Sequence, residues 1–339
     1  MSNSQLLDRI LSGKSLHESE AAALMHDLAA GDVEPALGGA LLAGLRAKGE
    51  TADEIRGFAM TMRELALHPA IPEGAPTVDT VGTGGDGSGS LNLSTGTGLL
   101  AAACGARVVK HGNRSISSKS GSADVLEKLG MPLPLDEQAV IDCLASINFT
   151  FLFAPAFHPA MKAIMPVRNS LGVRTVFNML GPLTNPAAPP FQLIGAFSKD
   201  AAKLMADSLA GMPIERAFVV HGEPGWDEAT PAGDFALYDV CGRSVNETVR
   251  TPKHYGLNHC KAEELTGGDA EHNANELRRA FRGEDKGAHR DALLMGTSLV
   301  LEVLGLVKNA KEGVEMAAAG IDSGAAKKLL IDMKAHFEN

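Results

Sequence analysis

Aromatic residues and cysteines are both scarce in this sequence. Phe, Tyr and Trp together form 4% of the 339 residues, with a single tryptophan, Trp226. The four cysteines are scattered, without a CxxC pair and without a histidine at zinc-finger spacing, which disfavours a structural zinc site. We therefore expect free thiols at Cys104, Cys143, Cys241 and Cys260. Free thiols are typical of a reducing compartment, so we expect the protein to be cytoplasmic.

The sequence has little that suits a membrane. Its first residues, MSNSQLLDRILSG, lack the basic start and long apolar core of a signal peptide. The longest apolar stretches, near residues 99–104 and 149–156, are too short to span a bilayer. We expect no membrane partner.

An excess of positive charge is also lacking, because the formal net charge is -10. A surface that holds a nucleic-acid backbone needs clustered Lys and Arg, so no nucleic-acid partner is expected. A local site for a small anionic ligand remains compatible with this charge.

Residues from about 4 to 67 show only helical periodicity, with capping-box patterns at Ser15/Glu18 and Thr51/Glu54. Two prolines, at 69 and 72, then indicate a hinge. After it, short apolar runs alternate with helical patterns, which predicts an α/β domain with a mainly parallel sheet. We expect a helical domain over residues 1–70, joined by part of 160–190, and an α/β domain over 71–339.

The predicted elements of the α/β domain are five buried strands and four helices. The strands are Thr77–Val81, Arg107–Lys110, Thr150–Phe153, Gln192–Phe197 and Ala217–His221. The helices are Ser94–Cys104, Ala123–Leu129, Glu137–Ser146 and Lys199–Ala210. The residues from about 273 to 336 are predicted to be helical as well.

A glycine-rich turn, VGTGGDGSG, follows the first predicted strand, and a helix begins near Ser94. Glycines let backbone N–H groups curl around an anion, and a helix N-terminus adds unpaired donors. Neither a Walker loop nor a clean dinucleotide fingerprint is present. On glycine content alone a flexible loop is an equal alternative, but the position between strand and helix favours a phosphate site.

A second loop, KHGNRSISSKSGS, follows the second strand and is rich in cations and hydroxyls. In a parallel sheet both loops would lie at the same edge, which suits a ligand with several phosphates. Lys119 and the hydroxyls are candidates for a diphosphate, and Asn113 for a sugar or an aromatic partner. A single histidine such as His111 is more often structural than catalytic.

Two adjacent acids, Asp227 and Glu228, follow the fifth strand. Such a pair is usually a solvated turn, but Mg²⁺ commonly bridges carboxylates to substrate phosphates. Arg168 follows Pro166 in a segment predicted to form a helix in two parts around that proline. Its guanidinium could meet a carboxylate through two hydrogen bonds, although a surface arginine is the simpler interpretation.

Together these stretches resemble the anthranilate phosphoribosyltransferases over nearly the whole chain. The matching segments are DTVGTGGDG at 79–87, KHGNRSISSKSGSADVLEKLG at 110–130, FAPAFHPAMKAIMPVR at 153–168, VFNMLGPLTNPA at 176–187 and GGDAEHNA at 267–274. The resemblance implies a small N-terminal helical domain and a large α/β domain of the nucleoside phosphorylase/phosphoribosyltransferase-like class. It also implies a homodimer paired through the helical parts.

The same resemblance implies site residues, cofactor and reaction. Contacts to phosphoribosyl diphosphate fall on Gly82, Thr83, Gly84, Gly85, Asp86, Asn92, Ser94, Thr95, Lys110, Lys119 and Ser122. Contacts to anthranilate fall on Gly82, His111, Asn113, His158 and Arg168, and the Mg²⁺ positions on Ser94, Asp227 and Glu228. No residue is singled out as certainly catalytic. The implied reaction is magnesium-dependent transfer of phosphoribosyl to anthranilate in tryptophan biosynthesis.

Two alternatives remain at this point. A pyrimidine nucleoside phosphorylase has a related architecture but needs a single phosphate and no metal, so the acidic pair and two anion loops disfavour it. A non-catalytic relative that binds nucleic acid is disfavoured by the net charge and by the acids.

Overall fold

The computed structural model describes residues 1–115 and 119–338. Its N-terminal part is a helical bundle, as predicted. The four helices of the bundle are α1 (Asn3–Leu11), α2 (Glu18–Ala30), α3 (Pro35–Lys48) and α4 (Ala52–Glu64).

The capping box of α4 is confirmed, because Glu54 Oε2 accepts from the Thr51 backbone N–H at 2.8 Å and Thr51 Oγ1 accepts from the Glu54 N–H. The box predicted for α2 is wrong. His17 is the N-cap, and the Glu20 carboxylate accepts from its N–H at 2.8 Å. The turn therefore starts two residues later than the Ser15/Glu18 pattern indicates.

A mixed sheet forms the centre of the second part. Its strands within the described residues are β1 (Thr77–Gly82), β2 (Arg107–Gly112), β3 (Phe149–Phe153), β4 (Phe191–Gly195), β5 (Arg216–Gly222), β6 (Phe235–Cys241) and β7 (Ser244–Arg250). Their order is β3-β2-β1-β4-β5-β6-β7. The first five strands are parallel, and β6 and β7 add antiparallel at one edge.

All five predicted strands are present, each within two residues of its expected bounds. The β6–β7 hairpin was not predicted. Its outer strand, SVNETVR, is largely exposed and carries no run of apolar residues that would indicate a strand.

The helices around the sheet are α5 (Leu93–Ala103), α6 (Ser122–Leu129), α7 (Glu137–Ile147), α8 (Ala154–Phe157), α9 (Met161–Leu171), α10 (Phe177–Leu183), α11 (Lys199–Leu209), α12 (Ala270–Phe281), α13 (Ala288–Val303), α14 (Ala310–Asp322) and α15 (Ala325–Glu338). Short 3-10 turns cover Pro252–Tyr255 and Ala262–Leu265. Across residues 1–115 and 119–338, no helix has both the length and the apolar character required to cross a membrane.

The break predicted at Pro166 lies elsewhere. Helix α9 continues through this proline from Met161 to Leu171, and the interruption falls between α8 and α9, at residues 158–160. Because Pro166 sits in the second turn of α9, its missing N–H removes only one early hydrogen bond, and the helix persists.

Two apolar cores lie on opposite faces of the sheet. Alternate residues of β5 show this division, since Phe218 and Val220 belong to one core while Ala217 and Val219 belong to the other. The first core includes α5 and the C-terminal helices. The second joins the helical bundle to α9, α10 and α11, so that the bundle is held against one face of the sheet.

Candidate active site

The glycine-rich loop leaves the end of β1 in a left-handed curl. Gly84, Gly85 and Gly87 have φ values of 68°, 72° and 74°, which side chains with a Cβ rarely adopt. The loop is tied to β4 on one side, because Thr83 N donates to Gly195 O at 3.0 Å and Thr83 Oγ1 accepts from Phe197 N at 3.0 Å. A curl of successive backbone N–H groups is the geometry with which loops bind anions.

The acidic pair reaches this loop from the end of β5. Asp227 Oδ2 accepts from the Gly84 backbone N–H at 2.6 Å, and Asp86 Oδ2 accepts from the Asp227 N–H at 3.2 Å. Glu228 Oε1 accepts from the Ser94 N–H at 3.1 Å, at the start of α5. The structure therefore brings together the glycine loop, the helix start and both acids.

Two glycines make this approach possible. A Cβ at Gly82 would lie 2.5 Å from Asp227 Oδ2, and a Cβ at Gly195 would overlap the Asp227 carbonyl oxygen. Both positions have φ values outside the left-handed region, so space and not backbone conformation requires glycine here. Neither role is visible in the sequence, because it depends on a chain segment more than thirty residues away.

Burial and mutual repulsion govern the charges of these acids. Burial, helped by the Asp86 charge, raises the pKa of Asp227 to about 7. Burial and the neighbouring Asp227 charge raise the pKa of Glu228 well above its usual value, against the effect of Lys110. Carboxylate and hydroxyl oxygens are the ligands that Mg²⁺ prefers, and Asp227, Glu228 and Ser94 carry such oxygens at this edge of the sheet.

Lys110 and Asn92 connect the start of α5 to neighbouring elements of the site. Lys110 is buried at the end of β2, and its ammonium donates to the Thr80 carbonyl and to Ser94 Oγ. Asn92 is the N-cap of α5 and donates to the Ser120 carbonyl at 3.1 Å. Thr95 is fully buried in the first turn of α5. These contacts join the two predicted anion loops at one edge of the sheet.

The second loop is described only in part. Residues 116–118 lie outside the described residues, so the prediction for the hydroxyls there has no structural outcome. Lys119 is exposed, and Ser122 is the first residue of α6. Asn113 is exposed, and its Oδ1 accepts from the Arg114 N–H at 2.7 Å.

Two histidines predicted to contact the substrate that accepts the phosphoribosyl group lie side by side in the structure. The rings of His111 and His158 are 5.0 Å apart at their centroids in an edge-on arrangement, and both are buried. Burial, followed by mutual repulsion, lowers the pKa of His111 to about 3. Burial lowers the pKa of His158 to about 4. Both imidazoles are therefore neutral at physiological pH.

Arg168 lies on α9, and its guanidinium stands over the Phe177 ring at 5.1 Å. Burial lowers its pKa, but the group stays charged at neutral pH. In the described structure neither Arg168 nor Asn113 is hydrogen-bonded to the histidine pair, so the acceptor residues are less tightly assembled than the donor residues.

Several polar residues near the site were missed from the sequence. Asp79 is fully buried in β1 and accepts from Asn185 Nδ2 at 2.8 Å. Asn273 donates to Asn92 Oδ1 at 2.7 Å, and Arg174 donates to the Gly85 carbonyl. The acid at position 79 inside a buried strand was a usable signal, whereas the other contacts depend on the tertiary fold.

A further cluster of possible metal ligands lies outside these residues. Glu276, Asp285 and His289 bring one ligand atom each within 4.8 Å of one another. Both oxygens of Glu276 already accept from Arg279, at 2.9 and 3.0 Å, so we assign no ion to this cluster.

The two parts of the molecule correspond to the two domains of a glycosyltransferase family. Residues 4–66 match the family described as glycosyl transferase family, helical bundle domain, and residues 74–327 match glycosyl transferase family, a/b domain. Curated relatives narrow this class. The anthranilate phosphoribosyltransferase of Xanthobacter autotrophicus is 45% identical over 327 residues, which cover 96% of this chain and 94% of the relative. The chain belongs to the anthranilate phosphoribosyltransferase family.

Solved structures of this family share the fold. The anthranilate phosphoribosyltransferase of Thermus thermophilus has a TM-score of 0.92 at 41% identity, covering 98% of this chain and 99% of its own. The enzyme of Saccharomyces cerevisiae in complex with PRPP and Mg has a TM-score of 0.82 at 26% identity, covering 98% and 93%. The similarity thus extends over both parts of the molecule.

Proposed function

We propose that this protein transfers the phosphoribosyl group of 5-phosphoribosyl 1-diphosphate to anthranilate, giving N-(5-phosphoribosyl)anthranilate and diphosphate in tryptophan biosynthesis. The supporting observation is the convergence of Gly84, Ser94, Lys110 and the Asp227–Glu228 pair at one edge of the sheet. The yeast relative in complex with PRPP and Mg supports the donor and the cofactor.

The donor is proposed to lie between the glycine loop and the start of α5. Backbone N–H groups of this loop and of α5 would hold the diphosphate, and the Lys110 ammonium would add positive charge beneath it. The side chains proposed to contact the donor are those of Thr83, Asp86, Asn92, Ser94, Thr95, Lys110, Lys119 and Ser122, with backbone contacts from Gly82, Gly84 and Gly85. The hydrogen bonds among these elements support this assignment.

Ser94, Asp227 and Glu228 are proposed to hold Mg²⁺. They fit this ion because the Glu228 carboxylate already reaches the helix start that carries Ser94. Burial and the neighbouring acids raise the pKa of both carboxyl groups, so a bound cation would favour their charged, metal-binding forms. Bound Mg²⁺ would neutralise charge on the diphosphate as it leaves.

The acceptor is proposed to lie along Gly82, His111, Asn113, His158 and Arg168. Neutral imidazoles provide a weakly polar surface for an aromatic ring, and the Arg168 guanidinium can meet a carboxylate. A relative from Saccharomyces cerevisiae was solved in complex with 4-fluoroanthranilate, at 25% identity and a TM-score of 0.86, covering 98% of this chain and 98% of its own. That complex supports an aromatic acid as the acceptor.

The proposed reaction is a displacement at the anomeric carbon of ribose. The bond from this carbon to the diphosphate oxygen breaks, and a bond to the amine nitrogen forms on the opposite face as the amine loses a proton. The chain's own groups contribute positioning and charge stabilisation, without a covalent enzyme intermediate. Closure at the hinge near residues 69–72 would exclude water from the donor.

The molecular context is proposed as follows. We expect a homodimer that pairs through the helical parts, and a cytoplasmic location. Four free thiols are consistent with a reducing compartment. The division at residue 70 stays a prediction. The inclusion of part of 160–190 in the helical domain also stays a prediction, and the packing of α9 against α2 and α3 supports this second one.

The test is the loss of anthranilate fluorescence on addition of the phosphoribosyl donor, with and without Mg²⁺. Magnesium-dependent loss is the expected result. Binding of the phosphoribosyl donor without loss of anthranilate fluorescence would support the proposed donor site and contradict anthranilate as the acceptor. Metal-independent phosphorolysis of a pyrimidine nucleoside would indicate the phosphorylase alternative, and a salt-dependent shift of nucleic acid in a gel would indicate the binding alternative.

A further inference from the structure

The segment from Gly181 to Pro186 joins the helical bundle to the acceptor side of the sheet. It corresponds to the GPLTNP part of one sequence motif, and no site residue was assigned to it. Its contacts are His111 Nδ1 to Gly181 O (3.2 Å), Arg63 Nε to Leu183 O (2.8 Å), Asn185 Nδ2 to Val109 O (2.8 Å) and to Asp79 Oδ2 (2.8 Å), and His68 Nδ1 to Pro186 O (2.9 Å). We call residues 181–186 the bridging segment.

Arg63 is the contact from the helical bundle that lies deepest. It is on α4 and only 5% exposed, and its Nε–H donates to the Leu183 carbonyl. Its Nη1 and Nη2 are buried without a hydrogen-bond partner in the described structure. Burying such groups costs stability, so packing alone does not account for an arginine here. Burial lowers its pKa to about 10, which leaves it charged at neutral pH.

The bridging segment determines how the His111 ring is held. A carbonyl oxygen only accepts hydrogen bonds, so the contact with Gly181 places the ring proton on Nδ1. The neutral ring then carries a free lone pair on Nε2, which is buried without a partner in the described part of the chain. His158 packs edge-on against this ring and lies beside the backbone of Thr184. The His111 ring is therefore held by the Gly181 carbonyl, two residues before Leu183, and His158 packs against the ring that this bond orients.

We infer that Arg63 is a positioning residue for the acceptor site. By holding the Leu183 carbonyl, it fixes the bridging segment, which in turn fixes the tautomer and the orientation of the His111 ring, against which His158 packs. This role rests on the proposed function, since it assumes that the histidine pair lines the acceptor site. It also connects the helical bundle directly to acceptor binding.

The experiment compares Arg63→Met and Arg63→Lys with the unaltered protein. We expect Arg63→Met to raise the KM for anthranilate about tenfold or more, because it removes the charge-assisted hydrogen bond to the Leu183 carbonyl. The KM for the phosphoribosyl donor should change less than about twofold. Arg63→Lys keeps one positive donor and should recover part of this loss. Arg56→Met is the matched control, because Arg56 lies on the same helix, is 14% exposed and pairs with Glu18.

A spectroscopic measurement separates positioning from simple stabilisation. In ¹⁵N-histidine-labelled protein, with the His111 signal assigned by comparison with His111→Gln, the unaltered protein should show His111 protonated at Nδ1. Arg63→Met should shift this signal toward a mixture of tautomers, and Arg56→Met should not. The tautomer of His111 in the unaltered protein can be measured even if Arg63→Met fails to fold. Protonation of His111 at Nε2 in the unaltered protein would overturn the inference.

The outcomes also distinguish the inference from the proposed function. If the unaltered protein consumes anthranilate and Arg63→Met has the same KM and the same His111 signal, only the role of Arg63 is refuted. If Arg63→Met lowers the melting temperature alone, the residue is structural and the inference is likewise refuted. If the unaltered protein neither binds nor consumes anthranilate, both proposals fall together.

Discussion

Asp227 Oδ2 lies 2.6 Å from the backbone nitrogen of Gly84 and accepts its hydrogen, so the acidic loop after β5 is fastened to the glycine loop after β1. The contact spans β4, whose last residue, Gly195, lies beneath both loops. The proposed metal and diphosphate positions are thus coupled through the backbone as well as through their ligands.

Replacing Gly195 by alanine should disconnect these loops. A Cβ at this position would overlap the Asp227 carbonyl oxygen, and a backbone atom moves only if its loop moves. A displacement of about 1 Å can cost on the order of a hundredfold in rate, so we expect at least that loss of kcat/KM. Gly39→Ala is the control, since its added Cβ would meet Leu171 at an ordinary 3.6 Å. Full activity of Gly195→Ala would contradict the described loop contact.

Neutral replacements of the acids should separate metal binding from folding. Asp227→Asn and Glu228→Gln keep size and hydrogen bonding but remove charge. We expect each to raise the Mg²⁺ concentration for half-maximal activity by about tenfold or more. Because buried like charges repel in the protein without metal, the melting temperature measured in EDTA should stay the same or rise. An unchanged Mg²⁺ requirement in both variants would refute the assignment.

The proximity of the residues proposed for the donor site was easier to predict from the sequence than that of the residues proposed for the acceptor site. Residues 82–86 lie at the end of β1 and residues 227–228 in the loop after β5, and parallel strands place such loops at a common edge. The contacts of Asp79 with Asn185, and of Arg63 with Leu183, link positions more than a hundred residues apart. No local periodicity records which segments will meet, so these partners were not predictable from one sequence.

The same reasoning applies to the fold. Strands β1 to β5 have runs of consecutive buried residues, rich in apolar and β-branched side chains, so they were predicted. Strand β7 lies at an exposed edge, where polar residues such as Asn246 and Glu247 are tolerated, and it was missed. The continuity of α9 through Pro166 was also mispredicted, because a proline in an early helical turn removes little hydrogen bonding.

Arg174 should affect donor binding through the glycine loop. Its guanidinium donates to the Gly85 carbonyl and stacks on Phe197 at 4.4 Å. Since the peptide is planar and trans, fixing this carbonyl also fixes the direction of the Asp86 N–H. We expect Arg174→Met to raise the KM for the phosphoribosyl donor about tenfold, with partial recovery in Arg174→Lys. Arg243→Met, at an exposed turn, should leave the KM unchanged. A parental KM for the donor in Arg174→Met would count against this role.

The buried histidine pair should make stability depend on pH. Histidine in an unfolded chain titrates near pH 6.5, whereas His111 and His158 in the fold have pKa values of about 3 and about 4, lowered by burial. The charged groups near His111, Lys110 and Arg63, oppose its protonation further. Between pH 6.5 and 4 the unfolded chain therefore binds more protons than the folded one, and stability falls as the pH falls.

The two neutral imidazoles do not reduce the free energy of unfolding above about pH 6.5. Below that pH, each imidazole should lower the free energy of unfolding by on the order of 1.4 kcal/mol per pH unit, until its own pKa in the fold is reached. Urea unfolding at about pH 6.5, 5.5 and 4.5 measures the slope. His158→Gln should reduce the slope by one such contribution, and the double variant with His111→Gln by two, while other titrating groups cancel in the comparison. If the double variant keeps the parental slope, the rings are charged in the folded protein. A charged pair would place two cations beside the proposed acceptor ring in place of a neutral surface, and the acceptor site would need a different assignment.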